Sequence, residues 1–277
     1  MKTNKAQVSI LGCGWLGFPL AKNLLSEGYT VKGSTTSESK IPVLSDAGIN
    51  PYIVALSGFE GFFYDADANI NITAFLQDST ILIVDIPPKL RGNTSDNFVK
   101  KIESLIPFIE KSEIRKVLFI SSTSVYADDN SMVDENTIPR PDTEGGRQLL
   151  EAEKILQHNI NFNTTVLRFG GLIGYDRHPI KFISGRENIE NPDGSINLIH
   201  QNDCIGIIKS IIEQDCWNET FNAVSPEHPT REKYYTQKAT ELDLPLPKFA
   251  HEKPSKGKVI SSYKIENALQ YQFKTIL

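Results

Sequence analysis

The sequence predicts a doubly wound α/β fold, a parallel sheet with helices on both faces and a small C-terminal lobe interleaved with the last sheet elements. Three observations predict it. Short β-type runs alternate with stretches of helical period through the first two thirds of the 277 residues. One of these runs, Thr80 to Ile86, is after its polar first residue a nearly continuous apolar run broken only by Asp85, as a strand covered on both faces should be. The first run, Val8 to Leu11, enters Gly12-Cys13-Gly14-Trp15-Leu16-Gly17, and a helical pattern follows at once.

That G-x-G-x-x-G turn stands in the strand–turn–helix context that dinucleotide binding requires. Gly12 permits the tight turn, Gly14 removes the Cβ that would hold the backbone away from a pyrophosphate, and Gly17 lets helix and strand pack closely. The amides of Trp15 and Leu16 lie at the positive end of the helix, where phosphates bind. Pro19 is tolerated in the first turn, Leu20, Ala21, Leu24 and Leu25 supply an apolar face, and Gly28 ends the helix.

The second strand begins at Thr30. Folds of this kind that bind NAD place an acid about 20 residues beyond the first glycine to hold the ribose 2′-hydroxyl. Lys32 and Gly33 occupy that point, followed by Ser34, Thr35 and Thr36, and the first acid, Glu38, lies beyond the turn. Hydroxyls with Lys40 nearby suit a 2′-phosphate, so the expected cofactor is NADP rather than NAD. The same hydroxyls also suit a helix cap.

A third strand is read over Pro51 to Leu56, and Ser57 to Asn71 gives no clear pattern. The fourth strand is stopped by Pro87-Pro88 at its carboxyl end, the edge where open α/β sheets bind ligands, which makes Ile86 and Pro87 expected cofactor contacts. A helix is expected from about Ser95, with Phe98, Ile102, Leu105, Ile106 and Ile109 on one face. Lys116 to Ile120 reads as strand five, Asp142 to Asn159 as a helix, and Thr164 to Phe169 as strand six. Beyond it come a loop-rich stretch, a helix over Cys204 to Gln214 capped by Asn202 or Asp203, a short strand within Glu219–Ala223 and a helix over Thr230 to Leu242. The expected division is a dinucleotide-binding (Rossmann) core over residues 1–172 and a smaller substrate-side lobe over 173–277.

Composition narrows the function. Net charge is −5 and no basic run appears, so nucleic acid is not an expected partner. No apolar stretch approaches the ~18 residues of a membrane span. The start of the chain leaves no room for a signal peptide before the first strand, and three cysteines without metal or redox spacing fit a reducing cytoplasm. A metal is not expected. The sequence leaves a homo-oligomer open.

At Ser121-Ser122-Thr123-Ser124-Val125-Tyr126 the chain resembles the extended short-chain dehydrogenase/reductases, the NAD(P)-dependent epimerase/dehydratase group. The glycine turn, Leu150-Glu151-Ala152-Glu153 and Asn197-Leu198-Ile199-His200 with Asp203 carry the same likeness. The resemblance implies a Ser, Tyr and Lys catalytic set, the last two spaced Y-x-x-x-K on a helix. Ser122 matches the Ser position and is the catalytic candidate; it would orient the reacting oxygen. Ser121 falls with the cofactor contacts, and Thr123, Ser124 and Tyr126 with the substrate. Alignment on Leu150–Glu153 puts Gly145 at the Tyr position and Leu149 at the Lys position. Arg147, two residues away, lies about 200° around a helix from the Lys position. A register shifted by two pairs Thr143 with Arg147, neither of which replaces a phenol and an amine in acid/base work. The departure resembles the atypical branch of these proteins. After strand six, Arg177 is a candidate for a substrate phosphate or carboxylate, and His178 titrates near neutrality. Two functions therefore stand: an NADP-binding oxidoreductase or epimerase/dehydratase-like protein acting on a small polar, sugar-linked type of substrate, and a non-catalytic NAD(P)-binding sensor.

Overall fold

The computed structural model describes residues 5–58, 66–88, 97–275 and 277. Its strands are β1 (Gln7–Leu11), β2 (Thr30–Thr35), β3 (Asn50–Ile53), β4 (Ile81–Val84), β5 (Lys116–Ser122), β6 (Met132–Val133), β7 (Asn163–Phe169), β8 (Gly171–Ile173), β9 (Leu198–His200), β10 (Thr220–Ala223) and β11 (Val259–Ile260). The helices are α1 (Gly17–Ser26), α2 (Ile41–Asp46), α3 (Ala66–Leu76), α4 (Phe98–Glu110), α5 (Glu144–Gln157), α6 (Ile180–Ile183), α7 (Gln201–Glu213), α8 (Arg231–Glu241) and α9 (Tyr263–Ala268).

Seven strands form one parallel sheet in the order β3-β2-β1-β4-β5-β7-β10. The order reverses between β1 and β4, and the crevice at that reversal is where open α/β sheets bind ligands. The short segment within Glu219–Ala223 is thus the seventh strand of the central sheet, at its edge beside β7. β3 stops at Ile53 and β4 at Val84, before the ends read from the sequence. The helix expected from Ser95 begins at Phe98 on an Asn97 cap, and Ser95 itself lies outside the described residues.

Both faces of the sheet are covered, which is why the central strands are apolar throughout. On one face α1 and α7 pack together, and Leu20, Leu24, Ile207, Ile208 and Ile211 are fully buried there. On the other, α3, α4 and α5 bury Phe75, Phe98, Ile102, Leu105 and Leu156. Each such side chain contributes about 1.5–3 kcal/mol of burial. Gly28 follows α1 with φ +89°, and Tyr29 N–H bonds Leu24 C=O, the left-handed exit that favours glycine.

The C-terminal third adds a small core of Ile173, Ile180, Ile196, Leu198, Tyr234 and Tyr235, to which the paired strands β8–β9 contribute Ile173 and Leu198. The N-terminus of α7 is capped by the His200 ring, whose Nδ1 accepts from Asn202 N–H, rather than by Asn202 or Asp203. Asp203 is buried and faces the chain's last turn. It accepts hydrogen bonds from Tyr271 Oη and from the Lys274 and Thr275 amides, and so anchors the C-terminal segment to α7.

Candidate functional site

The glycine turn joins β1 to α1. A Cβ on Gly12 would stand 2.3 Å from Asp85 C=O, and its φ of +106° is one that L side chains avoid. A Cβ on Gly17 would stand 2.2 Å from Gly12 C=O. These two glycines let the turn fold onto the end of β4. Gly14 differs, because a Cβ there meets nothing within 4 Å. Its missing side chain leaves open space on the cavity side.

α4, α5, α7 and α8 each begin with a side chain that accepts a first-turn amide: Asn97, Thr143, His200 and Thr230. At α1 the residue before the helix, Leu16, supplies no side-chain cap, and the Gly17 N–H bonds the Asp85 carboxyl instead. The glycine turn before this helix opens into a cavity of about 290 Å³ lined by Gly12 to Gly14, the ends of β2 and β4, Val54 and Leu56 beyond β3, and Lys101 of α4. Ser34, Thr35, Thr36, Lys40, Ile86 and Pro87 all line it, so one cavity brings together the expected cofactor contacts beyond the turn except Ser121. A glycine turn leading into a helix start, a Cβ-free approach at Gly14 and apolar walls fit a dinucleotide.

The second strand runs two residues past the point reckoned by spacing, so its last residue is Thr35. Lys32 points to the other side of the sheet, where its Nζ donates to Ala74 C=O and Gln77 C=O and its burial lowers the ammonium pKa. Gly33 is held against Cys13 and Ile49. Among the described residues no carboxylate stands at the end of this strand. Ser34 Oγ accepts the Gly12 amide at 2.9 Å, and Thr35 Oγ1 accepts Ser37 N–H, so these hydroxyls also shape the turn. Thr36 and Lys40 are exposed.

Trp15 and Leu16 part ways. Leu16 is buried in the core, leaving only its backbone to the turn. Trp15 reaches across to the loop after β8. Its Nε1–H donates to Asp176, the Arg177 guanidinium lies 5.0 Å from its ring centroid, and Gln201 donates to its carbonyl. Arg177 therefore sits beside the glycine turn. His178 is held by its own partners: Nδ1 accepts Ile180 N–H, Nε2–H donates to Tyr234 Oη, and burial lowers its pKa.

On the β5 side the polar residues turn inward. Ser121 donates to Glu153 at 2.5 Å, and Glu153 takes a bidentate bond from Arg168. Arg168 Nη1 donates to Tyr126 Oη, which donates in turn to Asn222 Oδ1. The hydroxyls of Ser121 and Tyr126, expected at cofactor and substrate, are thus committed to a buried network beneath the sheet edge. The Arg168–Glu153 pair needs those partners because buried charges must be fully hydrogen-bonded. Ser122 is half-buried, and its Oγ accepts Ser124 N–H as the cap of the short turn Thr123–Val125. Thr123 is buried, and Ser124 C=O would stand 2.3 Å from a Cβ on Gly146. At Gly145, expected from the sequence at the Tyr position, a Cβ meets nothing within 4 Å, while Leu149, expected at the Lys position, is buried.

Asp85, Lys101, Val54 and Leu56 line the cavity and were not picked out by motif reading. The signal for Asp85 was present: it is the lone charge in the apolar run from Ile81 to Ile86. Among the described residues no metal-binding cluster occurs, and no helix is long and apolar enough to cross a membrane.

No protein-family model matches the chain. Protein YeeZ of Escherichia coli is 32% identical over 271 residues, spanning 97% of this chain and 96% of that protein. A short-chain dehydrogenase/reductase superfamily protein from Agrobacterium tumefaciens, solved with bound NAD, is 15% identical, with a TM-score of 0.78 over 98% of this chain and 93% of that one. The UDP-N-acetylglucosamine 4-epimerase of Bacillus cereus is also 15% identical, with a TM-score of 0.78 over 98% and 95% of the two chains.

Proposed function

This chain belongs to the family of Escherichia coli protein YeeZ and has the fold of the short-chain dehydrogenase/reductases and NAD-dependent epimerases, and from that premise we propose that it binds NADP between the glycine turn and the ends of β2 and β4. The proposed activity is that of an oxidoreductase or epimerase/dehydratase-like protein acting on a small polar, sugar-linked type of substrate. The observation that carries the cofactor reading is the strand end at Thr35, which offers hydroxyls and Lys40 where an NAD site offers a carboxylate.

When bound, the nicotinamide supplies a hydride acceptor or donor. The chain's own part begins with the amides of the glycine turn before α1, which would hold the pyrophosphate. Ser34, Thr35, Thr36 and Lys40 face the adenosine end, and Ile86 and Pro87 line the floor. Ser122 is the residue that would orient the substrate oxygen. Arg177, fixed on Trp15, would pair with a substrate anion from the lobe formed by residues 173–277. An Arg stays protonated and serves as a charge, not as an acid or base.

A second reading, a non-catalytic NADP-binding protein, is favoured by one observation: Gly145 and Leu149 stand where the Tyr and Lys of this fold's enzymes stand. One experiment separates the two. Wild type and the variant Gly145→Tyr/Leu149→Lys are incubated with NADP and a panel of nucleotide sugars, and nicotinamide reduction and sugar products are followed. Turnover by wild type supports the enzyme. Turnover by the variant alone marks a binding protein built on an enzyme site. Thr35→Asp tests the cofactor half, since a carboxylate at the strand end should reverse the preference toward NADH.

A further inference from the structure

Asp85 is the first residue beyond β4, and its carboxyl lies beneath the glycine turn. Its Oδ2 would stand 3.1 Å from a Cβ on Gly17, the first residue of α1. It also lines the cavity that Gly12, Cys13 and Gly14 open into. The group is therefore an acid placed at the helix end to which a pyrophosphate is drawn.

We propose that Asp85 is a dinucleotide-binding residue that enters the complex as the neutral acid, so that binding of the cofactor takes up a proton. The proposal rests on the cofactor reading and adds the charge state in which the site accepts its ligand. A pyrophosphate brings negative charge to the same helix end, and two anions sharing one water-poor site cannot both stay ionised cheaply. The neutral acid removes that repulsion and gains an O–H to donate.

Among the described residues no cation figures among the charges acting on Asp85. Burial pushes the Asp85 carboxyl up to about 7 before any ligand arrives, and the Gly17 N–H opposes that shift only in part. Two thiols face it, Cys13 in the turn and Cys204 on α7. Burial pushes both up, followed by the Asp85 charge at Cys13, which reaches about 12, and by the Asp203 and then the Asp85 charge at Cys204, so both are neutral at ordinary pH. The ammonium groups in the cavity wall, Lys40 and Lys101, belong to the β2 side and to α4.

The test uses the whole protein and NADH, which lacks the 2′-phosphate whose own ionisation near pH 6 would imitate the effect. Calorimetry at about pH 8, in two buffers of different ionisation enthalpy, counts protons exchanged on binding. Wild type should take up close to one proton per NADH. Its Kd, followed by nicotinamide fluorescence, should weaken by up to about tenfold per pH unit above 7, as a single ionisation dictates. Asp85→Asn should bind with a flat profile and no proton exchange. NADPH at about pH 8–9, with its 2′-phosphate fully ionised, should show the same slope. Binding by wild type without proton uptake overturns the inference and leaves the cofactor reading standing, as does an unchanged slope in Asp85→Asn. Failure of wild type to bind either dinucleotide at any pH overturns both. If Asp85→Asn does not fold, the proton count on wild type decides alone.

Discussion

The two halves of the sheet's carboxyl edge use their polar residues in opposite ways. On the β1–β2–β4 side, the turn glycines, the hydroxyls at the end of β2, Lys40 and Asp85 surround an open cavity. On the β5–β7–β10 side, Ser121, Tyr126, Glu153, Arg168 and Asn222 close on one another, and the space at Gly145 holds no phenol. In one half the polar atoms are available to a ligand. In the other they stabilise the fold. A family resemblance carried by sequence motifs covers both halves equally, but the hydrogen bonds separate them: Ser121 and Tyr126 keep the motif's identity while their hydroxyls serve Glu153, Arg168 and Asn222.

The comparison can be broken most forcefully in the closed half. Glu153→Gln leaves the Arg168 guanidinium buried beside a neutral partner and should cost about 3–5 kcal/mol, measured by denaturant unfolding. A loss below about 1 kcal/mol would mean that water reaches the network, since exposed pairs are worth no more than that. The open half should respond through ligand rather than stability. Gly14→Ala adds a Cβ into empty space at an ordinary φ, so its melting temperature should hold. NADPH affinity should fall at least roughly tenfold, because the backbone can no longer approach the pyrophosphate. Lys40→Ala should leave NADH binding unchanged and weaken NADPH by about tenfold, the worth of one charge-assisted contact of about 1.4 kcal/mol. Smallest is Arg177→Ala. Loss of its stacking on Trp15 should cost about 0.5–1 kcal/mol of stability and quench-shift Trp15 fluorescence, read in a Trp217→Phe background.

A pH prediction sharpens the same contrast. The Asp85 carboxyl has a folded-state pKa of about 7, raised by burial above its ordinary value. Between those two values the folded state holds a proton that the unfolded chain has released. Asp85 therefore lowers stability as pH rises through that window and has no further effect above about 7. Relative to wild type, Asp85→Asn should gain stability from pH 4 to 7, followed by thermal melting across that range. A parallel pair of curves would contradict the burial.

Periodicity and glycine chemistry made most of the fold legible. Val8 to Leu11, the helix after Gly17 and the left-handed exit at Gly28 each declare themselves locally, because backbone geometry demands those residue types. Strand ends were less legible. β2 continues to Thr35 and β4 stops at Val84, since pairing with neighbouring strands decides the last residues. The seventh strand is short, and its place at the sheet edge comes from its contact with β7, far away in sequence. In the cavity, the residues next to the glycine turn were readable, while Val54 and Lys101 arrive through packing of distant elements. The inward turn of Ser121 and Tyr126 was hidden for the same reason. Their partners Glu153, Arg168 and Asn222 lie 32, 42 and 96 residues away, beyond any local pattern.

The measurement that bears most directly on the account is an equilibrium titration of the purified protein with NADPH and with NADH, followed by nicotinamide fluorescence. The account predicts that both bind and that NADPH binds more tightly, with the difference removed by Lys40→Ala. Equal or tighter binding of NADH would contradict the reading of Ser34 to Lys40. Absence of binding by either would contradict the assignment of the cavity to a nicotinamide dinucleotide.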